Sequence, residues 1–131
     1  MIRNSSGVSL ERRGKEKQGE RIGGIRSRWN TPMSDVISRN GIHVRLPDER
    51  WAHIMEEHAE LANLRVQVLV TVAEPHRILA GSQGELLAVR QIDEGKWLVV
   101  AYREMRQDGF IITAFLTRRE RSLNKRTQLW P

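Results

Sequence analysis

Trp97-Leu98-Val99-Val100-Ala101-Tyr102-Arg103 and, beyond a polar break that ends in Asp108-Gly109, Phe110-Ile111-Ile112-Thr113-Ala114-Phe115-Leu116 form the stretch that decides the fold. Two runs rich in β-branched and aromatic residues flank a turn signal, Asp108-Gly109, which is the pattern of an antiparallel hairpin. The second run is almost unbroken in its apolar character, as a strand central in a sheet would be. With a two-residue turn at Asp108-Gly109, Glu104 opposes Thr113 and Tyr102 opposes Phe115. Tyr102 and Thr113 then share one face.

Working upstream, Glu85 to Ile92 reads as another strand, joined to the hairpin by the turn Asp93-Glu94-Gly95. A three-residue loop there puts Arg90 on the face of Tyr102, whereas a two-residue loop flips it away. Arg77-Ile78-Leu79-Ala80 is a shorter strand ending at Gly81-Ser82. Before Pro75 the period changes. Trp51, Ile54, Met55 and His58 stand at i, i+3, i+4 and i+7, one face of a helix that Pro47-Asp48-Glu49-Arg50 opens with acidic residues near the positive end of its dipole. Leu61, Leu64, Val68, Leu69 and Val72 make a second amphipathic helix, which Pro75 stops. Ile42-His43-Val44-Arg45-Leu46 alternates as a short leading strand. The expected fold is therefore α+β: two N-terminal helices packed on a four-stranded antiparallel meander, behind one leading strand.

The charge is unevenly distributed. The chain carries a net +6, but residues 40–117 hold eight Lys/Arg against eleven Asp/Glu, giving −3. Residues 1–39 hold nine against four, giving +5, and residues 118–131 hold five against one, giving +4. The division expected is a basic disordered arm over 1–40, a domain over 41–117 and a basic tail over 118–131. The arm has few large apolar side chains with which to offset ordering entropy, and Met33 offers an alternative start. A basic tail supplies sequence-independent phosphate attraction, while the domain is mildly acidic. Cysteine is absent, which rules out disulfides and thiolate chemistry and fits a cytoplasmic location. No apolar run approaches the ~20 residues needed to span a bilayer, so no membrane partner is expected.

Few residues offer chemistry. There is no phosphate-binding glycine loop, no nucleophile elbow and no histidine pair at metal-ligand spacing among positions 43, 53, 58 and 76, so neither a metal nor another cofactor is expected. His58 stands on the apolar face of its helix near the negative dipole end, where it is either a helix-ending histidine or a proton carrier. His53 is roughly 200° around the axis from Trp51, among Glu56 and Glu57, where an ordinary solvated residue is the simpler reading. Arg90 in an apolar strand either reaches water or stabilises a phosphate transition state. Tyr102 reads first as a core aromatic with a bonded hydroxyl, and Thr113 as a strand former.

Taken together, Trp51-Ala52-His53-Ile54, His58-Ala59-Glu60-Leu61, Pro75, Leu98-Val99-Val100 with Tyr102-Arg103-Glu104, and Gly109-Phe110-Ile111-Ile112-Thr113-Ala114-Phe115 resemble the phage-associated nucleases of the barnase–EndoU–colicin E5/D–RelE group. The resemblance covers residues 41–117 and departs at Ala59, where that pattern carries proline. It implies the BECR fold of two helices followed by a four-stranded sheet. The implied activity is a metal-independent endoribonuclease of toxin or phage-effector type, with RNA as substrate and an antitoxin or inhibitor protein as partner. The implied catalytic residues are His53, His58, Arg90, Tyr102 and Thr113. The alternative is a non-catalytic binding module of toxin-like fold, or a partner protein from the same operon.

Overall fold

The computed structural model describes residues 34–131, which form seven strands, three α-helices and one 3-10 turn. In chain order these are β1 (Asp35–Ile37), β2 (His43–Arg45), α1 (Asp48–Glu57), the 3-10 turn Ala59–Leu61, α2 (Arg65–Ala73), β3 (Arg77–Ala80), β4 (Leu86–Asp93), β5 (Lys96–Glu104), β6 (Asp108–Thr117), α3 (Glu120–Asn124) and β7 (Gln128–Trp130). The expected arm, up to its last residues, and the alternative start at Met33 fall outside the described residues.

The sheet corrects the expected architecture. It has seven strands in the order β1-β2-β6-β5-β4-β3-β7, not four. The consecutive strands β3 to β6 pair antiparallel. β2 then joins β6 in parallel, with Val44 opposite Gly109, so the sheet is mixed. β1 extends one edge and β7 the other, each antiparallel to its neighbour. The additional edge strands β1 and β7 come from segments whose composition reads as tail. A three-residue strand carries too few apolar residues to announce itself, and it forms only because a sheet edge offers unpaired N–H and C=O groups. Nor are there only two helices ahead of the sheet, because α3 follows β6.

Helix formation follows the local signals closely. Pro47, in extended conformation, occupies the N-cap position, and Asp48 and Glu49 fill the first turn. α1 buries Trp51 and Ile54 and ends at His58, whose N–H donates to the Ile54 carbonyl at 2.8 Å. The second helix is shorter than its periodicity suggests: Leu61 sits on the 3-10 turn, and α2 starts at Arg65. The helix-facing core contains Val44, Leu46, Leu61, Val68, Leu69 and Val72 against Ala88, Leu98, Val100, Tyr102, Ile111 and Ala114 of the sheet. A second, smaller core on the other face joins Leu79, Leu87, Val89, Val99 and Ala101 to Leu123 of α3.

The hairpin at the centre of the sheet also differs from its expected register. The reversal lies at Arg106-Gln107, where the Met105 N–H bonds the Asp108 carbonyl at 2.6 Å, and Asp108 and Gly109 belong to β6. Glu104 pairs with Gly109, Tyr102 with Ile111 and Ala101 with Thr113, with a bulge between Ala101 and Tyr102. Gly109 is required by crowding and not by a turn. A Cβ on it would lie 2.4 Å from the Arg103 carbonyl oxygen and 3.3 Å from Val44 Cγ2, so this glycine lets β2 and β5 close on both sides of β6.

Candidate active-site groove at the free edge of β6

β2 pairs only with Asp108 to Phe110 of β6, so among the described residues the outer edge of β6 carries no strand partner from Ile111 onward. α1 lies along that edge. Arg50 Nη1 reaches the Ile112 carbonyl oxygen at 3.5 Å, a long contact that leaves the guanidinium weakly held. Pro47, Glu49, Arg50, His53, Phe110 and Ile111 line a groove of about 420 Å³. Arg50 and His53 are three residues apart and hence neighbours on one helix face. Farther along, the His58 ring lies 6.2 Å from that of Phe115.

The start of α1 is well anchored, which fixes where Arg50 and His53 point. Arg65, the first residue of α2, donates from Nη2 to the Leu46 carbonyl at 3.0 Å and to Asp48 Oδ1 at 2.7 Å. Its guanidinium also lies 5.9 Å from the centre of the Trp51 ring. One planar cation thus ties together the end of β2, the first turn of α1 and α2.

The His53 side chain is 55% exposed, with Nδ1 3.7 Å from Glu56 and Nε2 3.8 Å from Glu57. These separations exceed hydrogen-bond length, so neither ring nitrogen is hydrogen-bonded among the described residues. His58 is 30% exposed, with Nδ1 3.5 Å from Glu60. Beyond Pro47 lies a second groove of about 200 Å³, bordered by Ser34, Asp35, Arg45 and Pro47. Here His43 Nε2 meets Asp35 at 2.6 Å, and Arg45 Nε donates to Asp108 at 3.0 Å. That hydrogen bond from Arg45, against an opposing desolvation, holds the Asp108 carboxyl below the usual carboxylate range.

The five residues expected to form a site are not all gathered. His53 lines the groove, and His58 and Thr113 lie farther along the same α1–β6 edge. Tyr102 is fully buried in the helix-facing core, and its hydroxyl finds no hydrogen-bond partner among the described residues. Burial, with the Glu104 charge second, pushes that phenol well above its ordinary range. Because of the β6 bulge, Thr113 opposes Ala101 of the other core and so lies on the face away from Tyr102. Arg90 does share the Tyr102 face, since it pairs with Leu98. Its Nη1, however, donates to the Glu74 carbonyl at the end of α2, and it borders a separate pocket with Leu64 and Gln67. Arg50 and Phe110 line the groove without a functional role expected from the sequence. Arg50 was detectable by its i−3 spacing from His53, whereas nothing local distinguished Phe110.

Among the described residues no three His, Asp or Glu side chains converge as a metal site requires, and no helix is long and apolar enough to cross a membrane. No protein-family description matches the chain, and neither a curated protein nor a solved structure is significantly similar to it.

Proposed function

We propose that this protein is a metal-independent endoribonuclease of toxin or phage-effector type, acting in the cytoplasm, with the α1–β6 groove as its active site. One observation carries the reading: a histidine and an arginine from successive turns of α1 share an open groove with an exposed phenylalanine, beside a strand edge that has no partner among the described residues. In this reading His53 takes the proton of a ribose 2′-hydroxyl. O2′ bonds to the adjacent phosphorus, the P–O5′ bond breaks and a 2′,3′-cyclic phosphate forms. Arg50 stabilises the charge gathering on the phosphoryl oxygens. His58, farther along the same edge beside Phe115, returns a proton to the departing 5′ oxygen.

The test is cleavage of unstructured RNA by the purified full chain in the presence of a metal chelator. His53→Ala is expected to slow cleavage by about 10²- to 10⁴-fold and Arg50→Ala by about 10²- to 10³-fold, with folding unchanged. Arg90→Ala is expected to keep cleavage. Folded wild-type protein that leaves RNA intact would discard the ribonuclease reading in favour of the non-catalytic binding module. The burial of Tyr102 and the tethering of Arg90 are the observations that favour this second reading.

A further inference from the structure

We propose that Phe110 is the platform of a nucleotide subsite, stacking one unpaired base of a single-stranded RNA whose flanking phosphates lie against Arg45 and Arg50. The proposal rests on the ribonuclease reading for its location and adds the form of the substrate.

Phe110 is 40% exposed although it lies within β6, a strand whose neighbouring residues Gly109 and Ile111 are buried. A large apolar ring left in water beside a groove is a cost that a ligand can remove, and every nucleobase has a π-face to cover it. The surroundings favour a nucleotide over a simple apolar ligand. Arg45 is the cross-strand partner of Phe110, so the two Cα atoms are neighbours in the β2–β6 ladder. Its side chain is 57% exposed and, among the described residues, is held at Nε by Asp108. On the other side Arg50 shares the groove with Phe110 and is exposed. An aromatic ring between two accessible guanidinium groups is the arrangement that reads a base and the phosphates on either side of it.

The two grooves also share a wall. Pro47 borders both the cavity holding Phe110, Arg50 and His53 and the one holding Arg45 and Asp35. An RNA strand can therefore run from Arg45 over Phe110 to His53 past Pro47 without crossing an element of the described residues. Glu49 on the groove wall, and Asp108 beside Arg45, oppose a polyanion. Stacking, and not net charge, must then supply selectivity, and a duplex, whose bases are already stacked, is disfavoured.

The experiment measures binding and cleavage separately on the full chain. The binding probe is a short fluorescein-labelled single-stranded RNA fully 2′-O-methylated, which removes the attacking hydroxyl, read by anisotropy beside the same sequence as a duplex. Wild type should bind the single strand and discriminate against the duplex. Phe110→Leu, which keeps apolar bulk at the site but removes the π-face, should weaken single-strand binding by about 5- to 150-fold and leave duplex binding unchanged. Phe110→Trp should retain it. Equal single-strand affinity in wild type and Phe110→Leu, with cleavage of unmodified RNA intact, overturns the subsite and leaves the ribonuclease reading standing. Phe110-dependent binding without any cleavage discards the ribonuclease and keeps the subsite. No binding by the wild type overturns the subsite, and the ribonuclease reading then stands or falls on cleavage of unmodified RNA.

Discussion

Tyr102→Phe separates a buried structural tyrosine from a catalytic one. The side chain is fully buried between the helices and the sheet, and its hydroxyl lacks a partner among the described residues. An unsatisfied buried polar group costs about 1–3 kcal/mol. Removing the oxygen returns part of that cost, less the dispersion contacts the oxygen made. A gain near 1 kcal/mol at neutral pH corresponds to roughly 4–8 °C in Tm for a domain of this size. The pH dependence supplies an independent check. The folded-state phenol titrates above its ordinary value, so below about pH 10 both states hold the proton and stability is unaffected. Above that point the unfolded chain releases the proton and the folded chain does not. Stability then falls by about 1.4 kcal/mol per pH unit until the folded phenol itself ionises. Denaturant melts of wild type and Tyr102→Phe at neutral and alkaline pH should therefore diverge as pH rises. Because the chain has a single tyrosine, tyrosinate absorbance of the native protein follows this residue alone. A variant that is destabilised by more than about 1 kcal/mol at neutral pH would show that the hydroxyl has a partner after all. A native phenol that ionises near its ordinary pH, or a folded variant that no longer cleaves RNA, would refute the burial argument.

Other perturbations test the remaining parts of the account. Gly109→Ala should destabilise by about 1–3 kcal/mol, read by urea denaturation, because the Arg103 carbonyl must move; wild-type stability would show that the β2–β6 approach is looser than described. Arg45→Ala should raise the pH at which acid unfolding begins, since Asp108 loses the hydrogen bond that keeps it ionised below the usual carboxylate range. The stability from this pair is present above about pH 4 and is lost as pH falls through the folded value. A circular-dichroism titration at low and high salt measures it, with the difference shrinking at high salt.

The groove was partly legible in the sequence. His53 and His58 could be located because a helix face is set by local spacing, and α1 needs only ten consecutive residues to define it. The relation of Tyr102 to Thr113 could not be located in the same way. It depends on one extra residue near Ile112 in β6, and a single bulge exchanges the two faces of everything beyond it. Arg90 looked free because an arginine in an apolar strand has no visible partner in one dimension. Its partner, the Glu74 carbonyl, lies sixteen residues earlier, at the end of α2, with β3 between them in the chain.

What the sequence alone determined are features that repeat over short distances: the amphipathic face of α1, the stop before Pro75, and the strand character of residues 86–92, 97–103 and 110–116. Those follow from backbone sterics and side-chain period, which act within a few residues. The tertiary structure decided the rest. β2 became a parallel neighbour of β6, and residues 35–37 and 128–130 were drawn in as edge strands. Gly109 became a contact point in place of a turn, and Arg50 and Phe110 met in one groove. Apart from the local pairing of residues 35–37 with 43–45, each depends on pairing or contact between segments tens of residues apart. The free energy for that pairing comes from unsatisfied strand edges and from the burial of two separate cores, and neither exists until the chain has closed on itself.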